Sequence, residues 1–352
     1  MATGYYQVAT TPRLYVSYPL WQYASGALDD VDTNFNQADE DLIRMITLDP
    51  SNTTYLDINE GFNVLKYRVV PSFDTETDLL ESNLFKPNYA MILGHNLQSA
   101  GARVQIQTSN DFGVVNDLNT SSLVNYIPNG PPEYDGWSLM GLDGVAGQFD
   151  YNFRIGFNSE GDSYNETPLQ IGSILFGRYF TFPQNCNLST TTSFNYGVKQ
   201  KQTLAGKTIS TSNWSKPNNW ITEPFGLGDE RGDNYQRRSG VRSWKIEFDS
   251  LAPEKVMNQN MMMNSNGYTA QDNHSTGADG IKSLYNINDA EDFFTLVVNK
   301  CIANHLPMVL QIDKDDFSPS SFAICRISGK NYQIKQKSPN LYNISLNLIE
   351  QV

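Results

Sequence analysis

The chain has 352 residues and a formal net charge of −13, and only 18% of its residues are charged. This length predicts two domains, each with a core of its own, and the low proportion of charge excludes disorder driven by self-repulsion. An acidic surface repels phosphate groups, which argues against nucleic acid and anionic membranes as partners.

No targeting segment is expected. The first residues, MATGYYQVATTPRLYV, have no basic region and no long apolar run, so we predict no signal peptide. No stretch of the sequence approaches the ~20 apolar residues of a membrane helix. The three cysteines, Cys186, Cys301 and Cys325, are odd in number and far apart. This predicts buried apolar side chains rather than a disulfide framework or a zinc site.

The N-terminal half predicts an antiparallel β-sandwich. The apolar run Tyr89–Leu93 is followed by a Gly-His-Asn break at 94–96 and then by strict alternation over 102–108, the pattern of a buried strand, a turn and a half-buried strand. Residues 110–147 are rich in Asn, Gly, Pro and Asp and predict an irregular loop. Other predicted strand regions are Arg13–Trp21, Asn63–Pro71, Phe149–Phe157 and Pro168–Pro183. Gly172 and Gly177 interrupt the last of these and predict bulges or bends.

The C-terminal half predicts one helix between strands. Residues 185–240 and 257–280 are polar and loop-like, whereas Val241–Phe248 alternates as a strand. Asn288 caps the predicted helix, about 289–304, with Glu291 in the capping-box position. Its apolar stripe consists of Phe294, Val297, Val298, Cys301 and Ile302. The strands predicted after it are Met308–Ile312, Phe322–Ile327, Tyr332–Gln336 and Tyr342–Leu348.

No segment has the spacing of a catalytic, cofactor or metal site, so we predict no catalytic residue, no cofactor and no metal. His95, His274 and His305 are not at metal-ligand spacing. We assign His95 to a turn and His305 to the C-terminus of the helix, where a partly charged imidazole suits the macrodipole. The run Asp313–Asp316 lacks the glycine and glutamate of an EF-hand and predicts a solvated hairpin turn.

Three weaker motifs have more than one interpretation. The acidic run at 39–41 could serve a glycosidase, but acids are common in this chain. The tripeptide at 231–233 spells Arg-Gly-Asp, and we interpret it as a flexible turn. Trp137, Trp214 and Trp220 lie in polar stretches, where each could stack on a sugar, anchor an interface or pin its own loop.

Two groups of segments resemble phage structural proteins. MILGHNLQSAGARVQIQTSND (91–111) and IGSILFGRYFTFP (171–183) resemble the galactose-binding-like jelly rolls of tailed phages. RSWKIEFDSL (242–251), a helix, and then MVLQID, FAICRIS, YQIKQK and YNISLNLIE resemble the split-barrel domain of phage distal-tail and tail-tube proteins. The resemblance implies a jelly-roll domain at 1–186 and a β-barrel domain at 187–352.

The predicted fold class is therefore mainly β, with an N-terminal jelly-roll β-sandwich followed by a small split β-barrel domain with one α-helix. The favoured function is that of a non-enzymatic structural subunit of a phage particle. It would form a homo-oligomeric ring or adaptor in the tail or baseplate, bind other virion proteins, and reside in the virion after assembly in the host cytoplasm. Two alternatives stay open: a carbohydrate-binding host-recognition module of a tail fibre, which would bind a host surface glycan, and a polysaccharide-cleaving enzyme.

One strand and one loop form the predicted oligomer interface. Tyr342–Glu350 alternates without Pro, Lys or Arg, which predicts an unblunted sheet edge that pairs with a neighbouring subunit. The interface residues predicted on this strand are Tyr342, Ile344, Leu346 and Leu348. Met261, Met262 and Met263 predict an adaptable apolar loop that orders on a partner.

Overall fold

A computed structural model describes residues 10–26, 28–33, 39–56, 62–69, 87–109, 115–128, 130–143, 152–159, 168–212, 240–257, 292–318, 321–329 and 332–351. Several residues named above lie outside the described ranges: Trp214, Trp220, the tripeptide at 231–233, Met261, Met262, Met263, His274, Asn288 and Glu291.

The described elements are mostly strands. In chain order the strands are β1 Arg13–Tyr15, β2 Leu28–Thr33, β3 Thr54–Leu56, β4 Phe62–Val69, β5 Tyr89–His95, β6 Ala102–Ser109, β7 Val115–Asp117, β8 Asn119–Val124, β9 Gly136–Asp143, β10 Asn152–Ser159, β11 Leu169–Ile171, β12 Ser173–Gly177, β13 Tyr179–Thr181, β14 Thr191–Asn195, β15 Val198–Gln202, β16 Thr208–Ser212, β17 Val241–Leu251, β18 Met308–Gln311, β19 Phe322–Ile327, β20 Ile334–Ser338 and β21 Leu341–Glu350. The helical segments are α1 Tyr18–Ser25, α2 Asp39–Arg44, α3 Pro253–Val256 and a π-helix, Phe294–Asn299.

These strands form antiparallel sheets of different sizes. The largest has eight strands in the order β13–β1–β18–β19–β21–β17–β14, with β20 also paired to β21. A five-stranded sheet has the order β2–β4–β10–β6–β7, and a four-stranded sheet has the order β12–β5–β9–β8. Two further pairs, β3–β11 and β15–β16, stand apart as two-stranded sheets. The mainly β class is confirmed, and the described strands close no barrel.

The three large sheets form successive layers. Apolar side chains of the five-stranded and four-stranded sheets share one core, which includes Ile106, Ile155 and Ile92. The other face of the four-stranded sheet packs against the eight-stranded sheet, where Trp137 lies edge-on to Phe322 at 4.9 Å between ring centroids. The far face of the eight-stranded sheet forms a third core that includes the π-helix.

The position of β5 in the middle layer explains why residues 89–93 are all apolar. Strand β5 has a layer on each side, so every one of its residues is buried. Ala90 and Ile92 face one core, whereas Met91 and Leu93 face the other. Strand β6, with only one covered face, alternates buried and partly exposed residues as predicted. The two strands belong to different sheets, so the break at 94–96 begins a crossing between layers and not a hairpin.

The region 168–183 is three strands in three sheets. β11 pairs with β3, β12 with β5, and β13 with β1. The predicted bends at Gly172 and Gly177 are the junctions between these strands. At Gly172 an added Cβ would lie 2.3 Å from the backbone oxygen of Pro50, so only glycine fits this close approach.

Two expectations of irregular structure are wrong. The predicted loop at 110–147 contains β7, β8 and β9, and the predicted loop at 185–240 contains β14, β15 and β16. Their Asn- and Ser-rich sequences are compatible with strands because β8 and β14 are edge strands, where polar side chains can remain in water. Trp137 is fully buried in β9 and so pins its own segment to the core.

The strand predicted over Arg13–Trp21 gives way to a helix after Tyr15. Residues 18–25 form α1, whose start is capped by Ser17, which accepts a hydrogen bond from the Leu20 backbone N–H at 3.4 Å. Pro19 occupies the first turn of this helix, where its missing N–H costs nothing. The expected strand over Arg13–Trp21 is therefore only three residues long.

The predicted helix near 289–304 is described from Asp292 onwards and contains a π-helical turn. Asp292 caps it by accepting a hydrogen bond from the Thr295 backbone N–H at 2.9 Å. Val297, Val298 and Cys301 are buried in the third core as expected, together with Phe293 and Leu296. The 3.6-residue period predicts Ile302 on the stripe, but Ile302 is 42% exposed, because the π-helix ends at Asn299 and Ile302 lies in the turn after it, at a positive φ of 48°.

The eight-stranded sheet takes strands from both sides of the predicted domain boundary at 186. β1 pairs with β13 on one edge and with β18 on the other, in register from Arg13 to Tyr15. The second core likewise joins Tyr89 of the middle layer to Ile324 of the large sheet. The division into domains at 1–186 and 187–352 stays a prediction.

Candidate functional site

The strand predicted as an open interface edge is an interior strand. β21 pairs with β17 along one edge and with β19 and β20 along the other. The side chains of Tyr342, Ile344, Leu346 and Leu348 are buried in the third core of their own chain. The prediction of an unblunted edge is therefore wrong, because the strand lacks protective charges for a different reason: both its edges are already paired.

The structure instead presents another candidate surface, residues 188–212, which we call the arm. It contains β14, at one edge of the eight-stranded sheet, and the isolated hairpin β15–β16. All of its residues except Gly197 and Thr203 are exposed. Sequence reasoning missed the arm because its strands carry polar residues on both faces and so show no hydrophobic alternation.

Local interactions build the hairpin. Thr203 and Lys207 close its turn through a 2.9 Å hydrogen bond from the Thr203 N–H to the Lys207 carbonyl and a 3.1 Å bond from the Lys207 N–H to the Thr203 hydroxyl. Gly206 supplies the positive φ of 79° that this turn requires. At the base, the Ser212 hydroxyl donates to the Tyr196 carbonyl at 2.6 Å. The arm is therefore an ordered element with an internal hydrogen-bond network.

The arm exposes large apolar side chains. Six of the thirteen large hydrophobic residues that are exposed in the described structure lie in it: Leu188, Phe194, Tyr196, Val198, Leu204 and Ile209. Leu204, at the tip of the hairpin, has no shielding at all. A segment that exposes this many large apolar residues is typical of an interaction surface, whereas singly scattered apolar residues are ordinary.

The two faces of the hairpin differ in charge. The register places Lys199 opposite Thr211 and Lys201 opposite Ile209, so these four side chains share one face. The other face carries Val198 and neutral polar residues only. The arm holds three lysines, at 199, 201 and 207, and no acidic residue.

A buried histidine–serine pair is the nearest approach to catalytic geometry. His95 Nε2 lies 2.9 Å from Ser138 Oγ, and both residues are buried. The Leu97 backbone N–H donates to His95 Nδ1 at 3.4 Å, which leaves the ring proton on Nε2. Nε2–H therefore donates to Ser138, whose hydroxyl donates in turn to the Asn125 carbonyl at 3.0 Å. In this arrangement the imidazole cannot remove the serine proton, so the pair is structural.

The position of His95 differs from the prediction. It ends strand β5 instead of lying in a turn, and burial lowers its pKa from 6.5 to about 4. The nearby Asp135 carboxylate opposes this shift without overcoming it. His305 is exposed and lies in the turns that follow the π-helix.

The remaining acidic and sulfur-containing groups form no metal site in the described ranges, where no three His, Cys, Asp or Glu residues cluster. The run Asp313–Asp316 lies in the β18–β19 hairpin connection as predicted, and the Lys314 Nζ pairs with Asp315 at 2.7 Å. Asp41, the one member of the acidic run at 39–41 whose side chain is described, pairs with Arg44 at 3.2 Å. All three cysteines are free and buried, and burial raises the pKa of the Cys301 thiol to about 12.

A cavity of about 440 Å³ lies on the eight-stranded sheet beside β17, β20 and β21. Glu247, Asp249, Tyr332, Asn343 and Asn347 are among its lining residues. The Tyr332 hydroxyl is buried and makes no hydrogen bond with any described residue, and burial raises its pKa. Polar groups around an aromatic ring can hold a small hydroxylated ligand.

Comparison with known proteins assigns no family. No protein-family model matches the chain, and no curated protein matches it. Among solved structures, it is similar to a selenomethionine-labelled Clostridium perfringens protein named CpGH89CBM32-4, at 10% identity and a TM-score of 0.28, over 46% of this chain and 99% of that one. At such a TM-score the likeness carries no argument about fold or function.

No described helix is both long enough and apolar enough to cross a membrane.

Proposed function

We propose that this chain is a non-enzymatic structural subunit of a phage particle that works as a homo-oligomer in the tail, the baseplate or an adaptor. The observation that carries this proposal is the arm, residues 188–212. The phage assignment is further supported by the resemblance of the segments 91–111, 171–183 and 242–251 to phage structural proteins.

The arm supports assembly because contacts with its own chain do little to stabilise the hairpin β15–β16. An isolated two-stranded hairpin is at best marginally stable in water, and the side chains of β15 and β16 are all exposed. Exposed apolar residues such as Val198, Leu204 and Ile209 become favourable when a partner removes them from water. An assembling subunit has such a partner, whereas a free monomer does not.

Molar mass is the measurement that tests this function. We expect light scattering on the purified full chain to give a mass that is a multiple of the 39.6 kDa protomer and to approach a fixed value as concentration rises. A parallel screen with glycosidase and esterase substrates should give no turnover. A monomer at every concentration, or turnover abolished by one Asp or Glu substitution, would contradict the proposal.

The cavity beside β17, β20 and β21 favours a second candidate function, binding of a host surface glycan. Tyr332 supplies an aromatic surface, and Glu247, Asp249 and Asn343 supply acceptors and donors around it. A titration with neutral and amino monosaccharides, followed by NMR, tests this alternative. Saturable shifts that disappear in Tyr332→Ala would favour it, and an unchanged spectrum at high sugar concentration would exclude it.

A further inference from the structure

We infer that the arm binds the acidic surface of a second copy of this chain, with Lys199 and Lys201 at the contact. This inference rests on the proposed function, because it names the element and the partner through which the subunits associate. The hairpin face that carries these two lysines also carries Ile209 and Thr211, so it offers charge and apolar area together.

Charge complementarity selects a second copy as the partner. The arm contributes three of the 25 basic residues and none of the 38 acidic ones. The rest of the chain therefore has 22 basic residues against 38 acidic ones, a net charge of −16 outside an arm of +3. Two copies, each acidic overall, repel each other at long range, and the arm is one place where approach is attractive. Opposite potentials of this kind fix which surfaces meet.

Backbone geometry supports the same contact. β15 and β16 pair only with each other among the described strands, so each has an outer edge that no described strand pairs. β14 likewise ends the eight-stranded sheet. An edge of this kind can add to a sheet of a neighbouring molecule by main-chain hydrogen bonds, while the lysine face determines which surface is chosen.

Charge reversal tests the inference. The variant Lys199→Glu/Lys201→Glu should raise the dissociation constant of self-association by roughly ten-fold or more, since like charges then meet at the contact. The matched control, Lys335→Glu/Lys337→Glu, reverses two lysines with the same spacing on the exposed strand β20 and should associate as the wild type does. Raising salt from about 0.1 M to about 1 M shortens the Debye length from about 10 Å to about 3 Å and should weaken the wild type more than the arm variant.

Cross-linking identifies the partner. A mixture of isotopically light and heavy wild-type chains, treated with an amine-to-carboxyl cross-linker, should give mixed-isotope cross-links from Lys199 or Lys201 to Asp or Glu of the other copy. Equal association of the arm variant and the wild type, with no such cross-links, would overturn the inference and leave the proposed function standing. A monomeric wild type would overturn both, and so would an arm that binds heparin or DNA while the chain stays monomeric.

Discussion

His95 makes the folded chain sensitive to acid. Its pKa is lowered from 6.5 to about 4 by burial, so the unfolded chain takes up a proton at a pH where the folded chain does not. The stability that this residue contributes is therefore complete above pH 6.5 and is lost as the pH falls towards 4. A shift of this size corresponds to about 3 kcal/mol.

We expect the free energy of unfolding to fall more steeply in the wild type than in His95→Gln between pH 7 and pH 4, by about 3 kcal/mol in total. Urea unfolding at a series of pH values measures this difference. His305→Gln, the same substitution at an exposed position, is the control. Parallel pH curves for wild type and His95→Gln would contradict the assignment.

At the residue scale, a buried ion pair between Arg242 and Glu350 holds strands of the large sheet together. Arg242 Nη2 lies 2.8 Å from the Glu350 carboxylate, and a further bond from Arg242 reaches the Phe322 carbonyl at 3.1 Å. Both side chains are buried, and they connect β17, β19 and β21.

Removing one partner of this pair leaves the other charge buried. Glu350→Gln should lower the free energy of unfolding by about 3–5 kcal/mol, as measured by chemical denaturation. Glu247→Gln breaks the similar but exposed pair with Lys245, also 2.8 Å long, and should cost at most about 1 kcal/mol. Equal losses in the two variants would show that burial does not decide the strength of the pair.

Among the elements, the π-helix and the turn that follows it offer a contrast between a buried and an exposed residue. Val298 is buried in the third core, whereas Ile302 is exposed at a positive φ of 48°. We expect Val298→Asp to lower the melting temperature severely, because it buries an unpaired charge. Ile302→Asp should be tolerated, since Asp adopts this backbone conformation more readily than Ile. Thermal melts that rank the two variants in the opposite order would contradict the observed burial of these two residues.

The arm can be shortened without touching a core. Val198 and Ser212 are directly paired across the hairpin, so an Asn-Gly turn that replaces 199–211 can join them in a two-residue loop. We expect the melting temperature to stay within a degree or two of the wild type while self-association is lost. A large loss of thermal stability would show that the hairpin supports its own chain and is not an assembly element.

At the scale of the whole molecule, the sequence predicts the strands better than their arrangement. The alternation of Trp244, Ile246 and Phe248 and the apolar run at 89–93 follow from which faces are covered, and the structure has strands at both places. The layering does not follow from these patterns, because a strand at 13–15 pairs with one at 308–311, and nothing local in either segment encodes that contact.

The candidate site was the least predictable part. An interior strand such as β21 and an unprotected edge share the same alternating, uncharged sequence, so sequence alone could not separate them. The arm has no periodic signal, since both faces of its hairpin meet water. The detectable clue was its charge: three lysines within residues 199–207, without an acid, in a chain of net charge −13.

The central claim is that this chain is a structural subunit of a phage particle, and quantitative peptide mass spectrometry of gradient-purified particles tests it most directly. The particles are the phage particles released from cells whose genome encodes this chain. We predict that the chain sediments with the particles at a fixed, multiple copy number relative to the other subunits. A chain that remains in the soluble fraction, or that appears in the particles only in trace and variable amounts, would contradict the account.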